Sequence, residues 1–155
     1  MFMGQYEHTV DEKGRVAIPA RFRSELGERL VVTRGLDKCL WVFPWDGWQA
    51  ICKRLESLPF TRARNRSFQR YFFAGASECQ PDGQGRILIG PSLRSYAGLG
   101  REAVLVGVSD HIEIWSREAW EAFEQQANVD YEALAEDLFT GEGGAQEGEG
   151  ACTGR

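Results

Sequence analysis

The feature that most constrains this chain is a plan written twice. Asp11-Glu12-Lys13-Gly14-Arg15-Val16-Ala17-Ile18 is answered by Asp82-Gly83-Gln84-Gly85-Arg86-Ile87-Leu88-Ile89. In each copy a carboxylate and a Gly bracket a tight turn, and a run of branched apolar residues leaves it as a buried strand. Asp accepts hydrogen bonds from turn amides and Gly supplies positive φ, so each copy places one Arg just beyond a loop tip. Arg15 and Arg86 are the first candidates for binding. A plainer role is open to both, pairing with Asp11 and Asp82 across the turn, since duplication alone can preserve a good turn without any ligand.

The repeat extends well beyond the turns. Tyr6 to Val10 alternates as a strand entering the first turn and Arg15 to Ile18 leaves it, which predicts a hairpin. Pro19 opens a short helix through Leu26, with Phe22 and Leu26 on one face, Arg21 and Arg23 more exposed, and Gly27 as its stop. Leu30 to Thr33 and Leu40 to Phe43 read as strands joined through Gly35 to Lys38. A helix from about Trp45 to Leu58 carries Trp48, Ile51, Cys52 and Leu55 at helical spacing, which assigns its Trp cluster to the core, and Pro59 ends it.

The second half retraces the first. Ala103 to Val106 and Ile112 to Trp115 match the two strands, Ser116 caps the next helix, and Trp120 answers Trp48. Tyr131 to Phe139 supplies a last short amphipathic helix. The expected fold is therefore α+β, a tandem of two β/α modules at 1–76 and 77–139, with pseudo-twofold symmetry and strands of both sharing one β-rich core. Residues 140–155, rich in Gly and Glu and without apolar periodicity, read as a disordered acidic tail.

Charge limits what such a body can hold. The net charge is −5, but residues 128–155 carry seven of the 23 acids and one of the 18 bases, which leaves 16 acids against 17 bases in residues 1–127. A polyanion site must then be a local patch, weak in a single copy. The most basic segment runs from Phe60 to Phe73: Arg62, Arg66 and Arg70 line one face while Phe68, Tyr71 and Phe72 turn inward. That stripe suits phosphates or the acidic side chains of a neighbouring subunit, and the interface reading is preferred.

Other chemistries find little support. Cys39, Cys52, Cys79 and Cys152 show no C-x-x-C spacing and only His8 and His111 could join them, so neither a metal site nor a cofactor is expected. There is no G-x-S-x-G, no P-loop and no histidine pair, which argues against an enzyme; His8 reads as a strand residue. No apolar run approaches the roughly 20 residues that span a bilayer, and the first residues lack a signal-peptide plan, so a cytoplasmic location is expected.

The residues also carry a family resemblance. Met1-Phe2 through Gly4, His8, Asp11, Lys13-Gly14-Arg15, Ile18-Pro19 and Phe22-Arg23, followed by Asp82, Gln84-Gly85-Arg86-Ile87 and Leu93-Arg94, closely resemble the MraZ family over residues 1–139. The resemblance implies relatives of the AbrB-like swapped-hairpin proteins: bacterial transcription regulators, usually repressors, that bind short direct repeats in promoter DNA upstream of the division and cell-wall gene cluster. It further implies a ring of subunits acting at the nucleoid. Two D-x-x-x-R motifs, Asp11 with Arg15 and Asp82 with Arg86, are the implied DNA-contacting elements, supported by Gly14 and Gly85, with Lys13 as a phosphate contact. Arg21, Arg23 and Arg94 are possible backbone contacts. In this chain Ile89-Gly90-Pro91 shifts a proline by one position, which predicts a looser start to the following helix. The second loop also lacks a counterpart of Lys13, so the first is expected to bind more strongly. The rival class is an oligomeric scaffold that binds a protein partner.

Overall fold

The computed structural model describes residues 1–144. Its elements in chain order are β1 (Phe2–Thr9), β2 (Arg15–Ala17), α1 (Ala20–Leu26), β3 (Leu30–Arg34), β4 (Leu40–Pro44), α2 (Trp45–Glu56), α3 (Ala63–Ala74), β5 (Ser77–Cys79), β6 (Arg86–Leu88), α4 (Pro91–Ala97), β7 (Glu102–Ser109), β8 (His111–Ser116) and α5 (Arg117–Gly144). Six strands form an antiparallel sheet in the order β1-β7-β8-β4-β3-β5, and β2 and β6 form a separate antiparallel ribbon. The architecture is α+β, with the two repeats interleaved in one sheet. The chain divides into two units at Trp120 and Glu121, and the sheet and ribbon lie in the first.

Interleaving follows from where the apolar residues are. β1 of the first repeat pairs along its whole length with β7 of the second, from Phe2 opposite Ser109 to Thr9 opposite Glu102. β4 and β8 pair across the repeats as well, setting Leu40 against Ile114 and Val42 against Ile112. Leu30, Val32, Leu40, Val42, Leu105, Ile112 and Ile114 from the sheet then close over Val16, Ile18, Phe22, Ile87, Ile89 and Leu93 in one core. Each such side chain contributes about 1.5–3 kcal/mol when fully buried, and here both repeats supply its neighbours.

Around this core the short-range expectations hold well. Pro19 precedes α1 and Gly27 ends it at φ +71°. Ser116 Oγ accepts from the Ala119 amide at 3.1 Å, capping α5. Trp48, Ile51 and Leu55 of α2 pack with Phe43 and Phe72. The indole N–H groups of Trp41 and Trp115 donate to Glu113 at 2.9 and 3.0 Å, so these rings are also committed to the interior of the fold.

The structure corrects the sequence reading in several places. The hairpin expected around the first turn is absent: β1 pairs with β7 and β2 with β6, and one bridge from Val10 to Val16 is what joins the two flanks of that turn. A hairpin would pair the strands locally, whereas the swap lets Val16 and Ile87 become neighbours with no exposure at all. The short helix expected at Tyr131 to Phe139 is the later part of α5, because no Gly or Pro interrupts the chain from Arg117 to Thr140. Residues 140–144 of the expected tail continue that helix, and the rest of the tail, with Cys152, lies outside the described residues.

Phe72 turns inward from α3 as expected, but Phe68 and Tyr71 do not: they are 41% and 56% exposed. Tyr71 instead lies beneath the Arg34 guanidinium at 3.9 Å. Nor is the start of α4 loosened. The shifted proline, Pro91, falls at the first turn of the helix, where its missing N–H costs nothing, and α4 has the same seven residues as α1. Among the described residues no helix is long and apolar enough to cross a membrane.

Candidate nucleic-acid interface

The β2 and β6 strands meet in a short register that decides which side chains face outward. Val16 lies opposite Ile87, flanked by Arg15 opposite Leu88 and Ala17 opposite Arg86. Strand alternation puts the central pair into the core and directs Arg15, Ala17, Arg86 and Leu88 to the other face. The two arginines of the repeat therefore sit diagonally on one outer surface, beside an exposed Leu88.

Each loop tip is built by the same contacts. Asp11 Oδ1 accepts from the amides of Lys13 at 3.0 Å and Arg15 at 2.8 Å, while Oδ2 accepts from Arg15 Nε at 2.6 Å. Asp82 repeats the set with the amides of Gln84 and Arg86, both at 2.9 Å, and with Arg86 Nε at 2.9 Å. Gly14 and Gly85 complete the turns at φ +84° and +74°, a conformation that favours glycine. Their amides donate to the carbonyls of Asp11 and Asp82, each at 2.9 Å.

These contacts decide what the arginines can do. A guanidinium tied through Nε keeps two Nη nitrogens for a ligand and loses freedom it would otherwise surrender on binding. Across the ribbon, Arg86 Nη1 also comes within 3.8 Å of Asp11 Oδ2, so the two clamps share one local field. The Arg15 and Arg86 charges are each balanced by an Asp, and Lys13 adds an exposed cation at the first tip.

Hydrogen bonds from the Arg15 amide and side chain hold the Asp11 carboxyl below the ordinary value of 3.8, against a smaller opposing effect of desolvation. The Arg86 amide does the same for Asp82. A carboxylate lowered in the folded state contributes its stabilisation above the ordinary value and loses it as pH falls through the folded one. The clamps should therefore be intact from about pH 7 down to about pH 5 and open only below the ordinary carboxylate range. The Nε–H resonances of Arg15 and Arg86 in a pH-titrated NMR sample check this; their disappearance by pH 5 would contradict the assigned geometry.

Each clamp falls within one of two consecutive segments that match a single family model. A model of the family described as "MraZ protein, putative antitoxin-like" matches residues 1–71 and again residues 72–141. The chain belongs to the MraZ family. Among its relatives, a protein of Moorella thermoacetica named transcriptional regulator MraZ is 56% identical over 138 residues, covering 89% of this chain and 96% of the relative. Proteins with the same name from Desulforamulus reducens and Carboxydothermus hydrogenoformans are 53% and 54% identical over the same length, covering 89% of this chain and 97% and 96% of theirs.

Within this MraZ fold, Asp11, Lys13, Gly14, Arg15, Asp82, Gly85 and Arg86 all fall on the two adjoining loops and their ribbon. Arg21 is exposed on α1. Arg94, expected among the backbone contacts, points instead into the first loop, where Nη1 donates to the carbonyls of Ile89 and Lys13. Arg23 lies against Gly85 of the second loop. Sequence reasoning missed this crossing, although Phe22-Arg23 and Leu93-Arg94 occupy the same place in the two repeats. It also missed Arg101, which lines a groove with Asp11 and Glu12 beside the first loop.

Proposed function

We propose that this chain is a transcription regulator that binds double-stranded promoter DNA through the β2 and β6 ribbon. The observation that carries the reading is the pair of Asp-tied arginines on one outward face. The major groove admits a two-stranded ribbon, and an Arg fork matches the two acceptors of guanine. Lys13 at the first tip is suited to a phosphate, which positions the protein without reading sequence. The relatives' name, transcriptional regulator, agrees with this role.

The finer reading is of short direct repeats upstream of the division and cell-wall gene cluster, with repression as the outcome and the nucleoid as the place of action. Because each subunit offers few unbalanced cations, the reading includes assembly into a ring. The exposed face of α3, with Phe68, Tyr71, Arg66 and Arg70 and with Arg62 just before the helix, is the proposed contact. Its basic and aromatic character complements α5 of a neighbouring copy, which exposes Tyr131, Leu134 and Leu138 among Glu132, Glu136 and Asp137.

A mobility-shift titration of the duplex immediately upstream of the chain's own gene, with excess unrelated duplex present, tests the function. A complex that survives the competitor supports specific binding. A complex abolished by competitor, together with an unchanged transcript level on deleting the gene, would favour the protein-binding scaffold.

A further inference from the structure

We infer that Arg94 and Arg23 are crossed positioning residues, each carried by one repeat and set against the loop of the other: Arg94 holds the first loop for Arg15, and Arg23 holds the second for Arg86. The consequence for DNA rests on the function proposed above, but the clasp itself is a property of the free protein. Ribbon pairing creates the crossing. The Ile89 amide donates to the Gly14 carbonyl at 2.9 Å, and in the mirrored place the Ile18 amide donates to the Gly85 carbonyl at 2.9 Å. Backbone from the start of each short helix is thereby bonded to the opposite loop.

Arg94 rivets this junction. Its Nη1 donates both to the Ile89 carbonyl, on its own repeat, and to the Lys13 carbonyl of the other at 3.4 Å. It lies so close over Gly14 that a Cβ there would fall 1.6 Å from Nη1 and 2.8 Å from the Ile89 carbonyl oxygen. Gly14 is thus required by the contact as well as by its positive φ. Over Gly85, a Cβ would lie 2.7 Å from Arg23 Nη1 and 2.9 Å from its Cζ. The same glycine of the same motif is covered by the same helix arginine of the opposite repeat, twice.

A half-buried guanidinium whose Nη1 is spent on two carbonyls is poorly placed to grip a phosphate and well placed to hold a loop. Without it, the Lys13 carbonyl loses a charged donor and the Arg15 clamp loses its backing. The effect on DNA comes through Arg15, so Arg94 positions the contact and does not make it.

The test compares Arg94→Ala and Arg23→Ala with wild type by amide NMR in the absence of DNA, then by affinity for the upstream duplex over a range of salt. Arg94→Ala should move the Lys13 and Gly14 amides and spare Gln84 and Gly85, while Arg23→Ala does the reverse. Arg94→Ala should also weaken binding about tenfold, within the value of one base-reading pair, and keep the salt slope within about 0.3 of wild type. A lost phosphate contact would change that slope by about 0.9. Unmoved Lys13 and Gly14 amides, or a slope change of that size, would overturn the clasp. Should Arg94→Ala fail to fold, Arg94→Met keeps the stem over Gly14 while removing the donors, and the same resonances decide. Because the amides are read without DNA, failure of the wild-type chain to bind the duplex would sink the DNA reading alone.

Discussion

Replacing Arg15 and Arg86 together by alanine should remove specific promoter binding while leaving the fold in place. Each bidentate Arg contact to a base is worth about 1–3 kcal/mol of discrimination, so losing both costs a factor on the order of hundreds or more. The loss has a second source. Asp11 and Asp82 now balance Arg15 and Arg86, and without them two carboxylates would face the phosphate backbone unpaired. The single changes should not add simply, because Arg86 Nη1 lies 3.8 Å from the Asp11 that holds Arg15. Stability should change little: both side chains are about 30% exposed, at 32% and 28%, and the burial that holds the ribbon belongs to Val16 and Ile87. Arg15→Ala should lose more than Arg86→Ala, since the first loop carries Lys13 where the second carries Gln84. Full affinity in the double variant, with unchanged circular dichroism, would show that the ribbon face does not contact DNA.

If the chain assembles as the proposed ring, binding to three direct repeats should exceed binding to one by about 10² to 10⁴, because later contacts then become intramolecular. The argument starts from charge. The body is nearly neutral, its two outer arginines are already paired, and a protein that neutralises few phosphates binds weakly, with a shallow salt dependence. Tight binding must then come from several subunits engaging at once, which works when the repeats lie on one side of the duplex. Inserting about five base pairs between repeats, roughly half a helical turn, should cancel most of the gain. Fluorescence anisotropy on duplexes with one, two and three repeats, and on the half-turn insertion, measures both effects. Equal affinity for one repeat and three would mean that a single subunit holds a stronger site than two clamps and Lys13 provide. Indifference to the insertion would mean that subunits do not engage the duplex together.

The parts of this protein that a reader of the sequence can reach are those whose contacts close within a few residues. Asp11 bonds to Lys13 and Arg15, and Asp82 to Gln84 and Arg86, so the loops and their outward arginines are written directly in the D-x-x-G-R pattern. The strands at Leu30 and Leu40, the helix stop at Gly27 and the cap at Ser116 are legible for the same reason. The duplication of all of these shows that two copies must share one fold.

Partner choice lies beyond that range. Val16 and Ile87 carry the same apolar signal whether β2 pairs with its own repeat or with the other, and the swap is decided by the core that both repeats close together. The same swap brings Arg94 to Gly14 and Arg23 to Gly85, contacts between residues far apart in the chain that no local pattern encodes. Amphipathic spacing in α3 identifies Phe72 as buried but leaves open how wide the covered face is, and the packing around Arg34 and Tyr71 sets it narrower than the pattern suggested. Sequence by itself therefore determined the loops, the elements and their twofold repetition, through short-range hydrogen bonding and periodicity. Tertiary structure alone decided that the two loops meet on one ribbon and brace each other, because that pairing depends on which nonlocal arrangement buries the apolar residues of both repeats at once.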